Sequence, residues 1–558
     1  MNTKGFFSLI IILSFSIHTV YSQYNKKHIE KIDNLFTSWN APNHPGGSIM
    51  VVKNGTTIFS KAYGLASLEY NVSNTTNTLF NIGSISKQFT AMGIVLLEEQ
   101  NKLSFNDNIR KHLTELPDFG KTITIRHLLD HTSGLRDIHG LLGIAGWRSK
   151  DLETNEDISR ILKNQKNLNF KPGKEFSYCN TGYILLAKII ERISKTSFRD
   201  WMKKNIFDPL GMKETYVEDQ YDRVVLNNAT SYYSSEEIKR AIDHWGYYGS
   251  GNMHSTTADL NLWLQNFITS EEKWAKSFQK LLTVTPLTNG FDTNYGFGVR
   301  IEKHIGRKVI QHGGAVGGFR SIVKVYPEEQ FKIIILSNFS GGDIYRKSNK
   351  ITQIVLGSKD IKQEKKQEKQ SQKVQVSLSN KNLSKFEGIY WSSEEKYGRI
   401  LYLKNDTLRY KKPSGNEYLL APINKNTFRI LNTNEDILLS FDAKETTPKI
   451  KVSIPNQIPG VLEFHQSITK DNTVDPIEYI GDYYSPELRT TYSISLENSN
   501  LYCEHVRHGK IKMIRLFDDI FKGDWPVSIL EIKRDHNGKV QGIYMSNGRT
   551  RNVWFKKN

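Results

Sequence analysis

Apolar positions change period several times along the first 340 residues. Over Lys26 to Trp39 they fall at Ile29, Ile32, Leu35 and Phe36, one side of a helix. Ser48 to Lys53 and Thr57 to Ala62 are β-rich instead, and the Asn54-Gly55 between them predicts a hairpin. From Phe89 through Met92, Ile94, Val95 and Leu96 to Glu99 the spacing is helical again, and helical signals dominate Leu103 to about Tyr248, including an apolar helix over Tyr183 to Ile193. Thr256-Thr257-Ala258-Asp259 before Leu260, Trp263 and Leu264 has the pattern of a capping box opening a helix. Tyr295 to Val299, Val309 to His312 and Ile333 to Leu336 read as strands, and the glycines of Gly313 to Phe319 read as sites of close backbone approach by a substrate.

Beyond residue 357 the pattern changes. Ser358 to Val376 is Lys, Glu, Gln and Ser with little apolar content, a solvated linker. After it, Gly388, Tyr390, Leu403, Asn405, Leu408 and Phe428 reappear 93 residues later as Gly481, Tyr483, Leu496, Asn498, Leu501 and Phe521 (481 − 388 = 93). A constant offset over many positions indicates duplicated modules. Short alternating runs with turns between them predict small antiparallel barrels over 377–470 and 471–558, or two halves of one barrel.

A chain of 558 residues exceeds one hydrophobic core, so two or three domains are expected. The formal charge of +18 comes from dispersed Lys and Arg without a nucleic-acid-binding motif, so no nucleic-acid partner is expected. Lys4, the apolar run Phe6 to Ile17 and small residues up to Ser22 have the anatomy of a secretory signal over 1–22, which implies export to the periplasm or beyond and no stable membrane insertion once it is removed. Cys179 and Cys503 are too few for a disulfide framework, and no His-Glu-x-x-His or phosphate-cradling loop occurs, so neither a metal nor another cofactor is expected.

Candidate chemistry centres on Ser84 and Lys87. Three residues apart at the start of a helix, both face one side, where N–H groups favour an oxyanion and a buried amine can lose its proton to activate the hydroxyl. The same spacing at Ser270/Lys273, Ser277/Lys280, Ser321/Lys324, Ser393/Lys396 and Ser467/Lys470 lacks the preceding glycine and the long apolar helix. Tyr178-Cys179-Asn180 ends an irregular stretch before a helix, so a phenol for proton exchange and an amide for holding Lys87 or a carbonyl can face one cleft, although an ordinary turn fits those residues as well. His131 reads as a hydrogen-bonded histidine at a helix end.

Taken in order, Ser84-x-x-Lys87, Tyr178-x-Asn180 and His312-Gly313-Gly314 make residues 25 to 357 resemble the serine hydrolases related to class C β-lactamases, a group with DD-peptidases, D-amino-acid peptidases and esterases. The resemblance implies a mixed α/β domain with an antiparallel sheet and an inserted all-helical subdomain, and lipocalin-like modules in the tail. It implies Ser84 as nucleophile, Lys87 and Tyr178 as proton shuttle, Asn180, His312 and Gly314 as substrate-positioning groups, and the N–H groups of Ser84 and Ala315 as oxyanion hole. The expected substrate is a small peptide with D-residues or a small ester. A lysine in the lactamases of the group is replaced here by His312, mostly neutral at pH 7, which weighs against a true β-lactamase; Arg320 is a candidate to restore the charge. A binding protein for cell-wall peptides, with the barrels as adhesive modules, is the other class of reading.

Overall fold

Consecutive residues of the strand Phe331–Ser337 are all buried, and they divide between two cores. Ile333 and Ile335 point to one face, packed with Ile32, Phe36, Ile49, Val51 and Ile351; Ile334 and Leu336 point to the other, packed with Ile82, Phe89 and Leu260. That alternation places a sheet between helical layers. Its strands are β1 (Gly47–Lys53), β2 (Thr56–Tyr63), β3 (Arg300–His304), β4 (Arg307–Val316), β5 (Phe319–Tyr326) and β6 (Phe331–Ser337). They are antiparallel in the order β3-β4-β5-β6-β1-β2.

The computed structural model describes residues 26–148, 150–241, 245–357, 376–412, 416–431, 433, 437–442, 449–454, 460–465 and 476–558. The expected signal at 1–22 and linker residues 358–375 lie outside them. Asn54 and Gly55 adopt the left-handed conformation of the β1–β2 turn, as a two-residue hairpin requires. The first helix is shorter than its apolar spacing suggested, covering 26–34, and a separate 3₁₀ turn Thr37–Asn40 follows. Tyr295 to Val299 is not a strand: the Gly296 N–H bonds to the Val299 carbonyl, closing a turn, while the Phe297 N–H reaches Leu281. Phe297 and Val299 are buried there as plugs of the helical layer, which explains their apolar character.

Between β2 and β3 the chain makes the helical subdomain. It contains α1 (Ser86–Glu99), α2 (Ile138–Ile144) and α3 (Asn180–Ser194). α1 is buried over most of its length rather than on one face, and it packs against both α3 and the helix Glu272–Leu281. Thr256 caps the helix Thr257–Gln265 by accepting from the Asp259 N–H; the Asp259 carboxylate turns instead to Thr215 and Glu214, so the reciprocal half of the expected capping box is not formed.

The tail is two closed eight-stranded barrels, one from Gly388–Ser392 to Gly460–His465 and one from Gly481–Ser485 to Thr550–Lys557. The 93-residue offset has a structural meaning: Tyr390 and Tyr483 are both fully buried and both donate to the carbonyl four residues back, Phe386 and Tyr479. Phe428 and Phe521 both lie in the fifth strand of their barrels. The barrels meet through Trp391 and Phe517 and through a Lys396–Glu531 ion pair at 2.5 Å. The second barrel shares one continuous core with the helical subdomain. Across that junction Arg136 and Glu487 form a buried ion pair at 2.7 Å. No helix among the described residues is long and apolar enough to cross a membrane.

Candidate active site

Ser84 lies in a single 3₁₀ turn, Gly83–Ile85, that runs directly into α1. The turn is held from three sides: Asn81 Oδ1 accepts from the Gly83 N–H at 2.9 Å, Ser321 Oγ donates to the Ile82 carbonyl at 2.7 Å, and Ser86 Oγ accepts from the Met253 N–H at 3.2 Å. Ile82 and Ile85 are fully buried on either side, so the half-buried Ser84 is fixed at the mouth of the cleft.

Lys87, in the first turn of α1, is fully buried. Its Nζ lies 3.2 Å from Ser84 Oγ, 2.9 Å from Asn180 Oδ1 and 2.5 Å from the Ser250 carbonyl. Burial is the largest influence on this amine, and it carries the pKa down from 10.5 to about 7; Asp137 opposes the shift and Arg549 adds to it. The neutral amine therefore has weight near neutral pH. Its two hydrogens are taken by the Asn180 and Ser250 carbonyls, which leaves the lone pair for the Ser84 hydroxyl.

Tyr178 packs its ring 4.8 Å from Lys87 Nζ. Its hydroxyl is buried near Ser84 without a formed hydrogen bond, and burial raises its pKa, so the group present is the phenol and not the phenolate. His131 braces this segment from a left-handed backbone position: Nδ1 accepts from the Cys179 N–H at 3.1 Å, its carbonyl accepts from the Ser177 N–H, and its ring lies 4.3 Å from that of Tyr178. Burial keeps it neutral.

Asn180 begins α3, and its backbone and side-chain amides donate to Asp137 Oδ2 at 2.7 and 3.0 Å. With its Nδ2 so committed, its Oδ1 is aimed at Lys87. Asp137 caps α2, accepting from the His139 N–H at 3.2 Å.

His312 on β4 is buried, and both ring nitrogens are occupied. A carbonyl only accepts, so Nδ1 donates to Gly313 O at 2.7 Å, and Nε2 accepts from Tyr295 OH at 3.1 Å. Burial and Lys87 lower its pKa to about 3. It is a neutral strut in the wall, reaching a substrate only by giving up one of these bonds. Gly314 is demanded by the protein's own packing, contrary to the substrate-approach reading: a Cβ there would sit 2.0 Å from the Ile82 carbonyl oxygen and 2.3 Å from Ser321 Oγ. At Gly313 the obstacle is the Tyr345 hydroxyl. The same close approach brings the Ser84 turn against the end of β4, since a Cβ on Gly83, at φ +53°, would lie 2.8 Å from the Ala315 nitrogen. Ala315 is exposed to the cleft.

Beside Ala315 a cavity of about 540 Å³ opens, lined by Trp147 and Trp245 and also by Tyr233, Trp525, Arg320 and Arg549. Nearby, Tyr247 is buried beneath it and Tyr248 turns away to stack on Phe198. Arg320 Nη1 is tied to the Gly317 and Phe319 carbonyls. Of the other Ser-x-x-Lys pairs, Ser277 and Lys280 bond to Glu99 and Glu98, Lys324 bonds to Asn349 while its partner Ser321 braces the Ser84 turn, and Ser467/Lys470 lies outside the described residues. Asp137, Ser250, Tyr295 and Arg549 were not found by sequence reasoning, and only the proximity of Tyr295 to Val299 to the known motifs gave any signal.

Comparison with known proteins agrees with this fold. The β-lactamase family profile matches residues 32–355. A penicillin-binding protein of Bacillus subtilis (strain 168) is 32% identical over 339 residues, which is 57% of this chain and 72% of that protein. A D-aminopeptidase of Gluconobacter oxydans (strain 621H) is 28% identical over 53% of this chain, and the match spans little more than half of that relative, 56%. Among solved structures, an octameric penicillin-binding protein homologue from Pyrococcus abyssi superposes with a TM-score of 0.53 over 78% of this chain and 99% of its own, at 24% identity. The fold, the profile match and the length of the shared region together make this chain a member of the β-lactamase family, with two β-barrels appended.

Proposed function

We propose that the protein is an exported serine hydrolase acting through an acyl-Ser84 intermediate on small peptides with D-residues or on small esters. One observation carries the reading: Lys87 is buried, has a pKa near 7, and has two carbonyl acceptors that turn its lone pair toward Ser84. Neutral Lys87 takes the Ser84 proton as Oγ bonds to the acyl carbon. The tetrahedral oxyanion is held by the Ser84 and Ala315 N–H groups, donors of a kind worth roughly 2.7–4 kcal/mol each. As the bond to the leaving oxygen or nitrogen breaks, Tyr178 passes it a proton and is reprotonated from Lys87. Water then attacks the ester on Ser84 by the reverse relay, which releases the acid and restores the serine.

His312 supports the peptidase and esterase readings over a β-lactamase, because it is neutral and already bonded on both nitrogens. Export rests on the anatomy of residues 1–22. The test is hydrolysis of a short p-nitrophenyl ester by the parent and by Ser84→Ala, with intact-mass detection of the acyl adduct and a panel of D-aminoacyl amides beside it. Turnover and adduct that vanish together in Ser84→Ala support the proposal. Equal behaviour of the two proteins with no adduct sinks it in favour of a peptide-binding role, and rapid cleavage of a chromogenic cephalosporin reverses the ranking against β-lactamase.

A further inference from the structure

The turn between the last two strands of the second barrel, Val540–Asn547 and Thr550–Lys557, carries Arg549 into the cleft. Its guanidinium carbon lies 5.4 Å from the centre of the Tyr178 ring, and Nη1 donates to the Tyr178 carbonyl at 3.1 Å. Nη2 stands 3.8 Å from Asp137 Oδ1, too far for a hydrogen bond. Asp137 is served by other donors, the two Asn180 amides and the His139 N–H. A guanidinium has five N–H donors, and the Arg549 side chain is 44% exposed. One of these donors serves the Tyr178 carbonyl, and the side chain lines the cavity that Ala315 and Val316 also line.

The charges around that cavity favour an anion. Arg148, Arg320 and Arg549 line it against Asp137 and Glu153. Arg148 is paired with Asp151 and Arg320 is bonded to backbone carbonyls, so Arg549 is the cation with the most free donors of the three. Glu153 is buried, and burial next to Asp137 raises its pKa to about 7, which removes much of its negative charge at neutral pH.

We propose that Arg549 is a specificity-determining residue that holds a carboxylate carried by the substrate close to the carbonyl attacked by Ser84. A planar fork suits a carboxylate. The barrel, distant in sequence, in this way supplies the charge that β4 lacks at His312. The inference rests on the acyl-Ser84 reading and narrows its substrate class to anionic acyl compounds.

Ester pairs that differ by one carboxylate test it. The p-nitrophenyl monoester of glutarate against p-nitrophenyl butyrate places a carboxylate on the acyl side; 3-acetoxybenzoate against phenyl acetate places it on the leaving side. The parent is expected to prefer the anionic member of one pair by about tenfold in kcat/KM, the size of one charge-assisted contact. Arg549→Gln abolishes the preference, Arg549→Lys keeps part of it, and raising salt from about 50 to 500 mM shrinks it. A parent without preference in either pair overturns the proposal. So does a ratio that survives in Arg549→Gln while both rates fall, because that result makes Arg549 a brace for Tyr178 alone. If Ser84→Ala hydrolyses all four esters as the parent does, the acyl-Ser84 reading falls too, whereas Ser84-dependent turnover with an unchanged ratio removes only the role of Arg549.

Discussion

The acid limb of the pH–rate profile should move in opposite directions in Asp137→Asn and Arg549→Gln. Lys87 has to be neutral to accept the serine proton, so kcat/KM, which reports the free enzyme, should rise with pH about a midpoint near 7. Asp137 favours the ammonium and Arg549 disfavours it. The path from Lys87 to Asp137 runs through one amide, 2.9 Å on one side and 3.0 Å on the other. At a separation of roughly 7 Å and an effective dielectric of about 20, Coulomb's law gives on the order of 2 kcal/mol, or between about 1 and 2 pH units. Asp137→Asn should therefore bring the midpoint down to about 5.5, so that at pH 6 the variant has about three quarters of its own plateau where the parent has about a tenth. Its plateau is lower, because Asn180 loses its anionic acceptor. Arg549 is partly exposed and screened, so Arg549→Gln should raise the midpoint by less than about one unit. The assay is initial-rate hydrolysis of a neutral p-nitrophenyl ester from about pH 4.5 to 9, corrected for spontaneous cleavage and normalised to each plateau. A midpoint that stays put in both variants, or moves the same way in both, refutes Lys87 as the titrating base.

Removing the phenol in Tyr178→Phe should lower kcat by about 10²–10⁴ with little change in melting temperature, as expected for a lost proton relay; single-turnover formation of the acyl adduct measures it. Gly314→Ala forces a methyl against the Ile82 carbonyl, so it should cost roughly 1–3 kcal/mol by denaturant titration and slow acylation by displacing Ala315. Glu487→Gln leaves Arg136 as a buried charge without its counter-ion, which should cost roughly 3–5 kcal/mol and expose the barrel junction to limited proteolysis. Lys87→Met removes a buried amine whose pKa is lower in the folded chain than in the unfolded one. The unfolded parent binds more protons between pH 7 and 10.5, so parent stability rises across that window, and urea titrations should show the variant losing ground to the parent as pH increases.

Local patterns were enough to read the tail and four strands of the sheet, β1, β2, β4 and β6, but not β3 or β5. Asn54-Gly55 fixed the first hairpin because few residues tolerate both left-handed positions, and the 93-residue offset was readable because each barrel needs the same buried tyrosine in the same place. The motifs holding Ser84, Lys87, Tyr178 and Asn180 were visible for a different reason: each places two polar groups beside an apolar helix start, and the structure brings all four together. Tyr295 to Val299 misled because plugs of a helical layer and residues of a buried strand share one composition. The glycines of β4 misled because a close approach looks the same whether the neighbour is a substrate or the Ile82 carbonyl. Asp137 and Arg549 gave no signal, since an isolated acid and a turn arginine are ordinary in sequence and acquire meaning only when a distant hairpin docks.

That docking links stability to chemistry. Arg136 is tied to the second barrel by the Glu487 carboxylate and by the Arg551 and Asn552 carbonyls, and its own carbonyl accepts from Thr181 on α3. The next residue is Asp137, whose backbone N–H bonds to the Arg549 carbonyl and whose carbonyl accepts from Thr550 Oγ1. Asp137 orients Asn180, Asn180 orients Lys87, and Lys87 lies against Ser84. The bonds from Asp137 to Asn180 and from Asn180 to Lys87 are buried, so a shift of the barrel reaches the amine through three side chains. A loosely attached appendage would have been wired to the surface. This one shares the core of the helical subdomain, and separating it would disturb the base at the same time as it removed the cation facing the cavity.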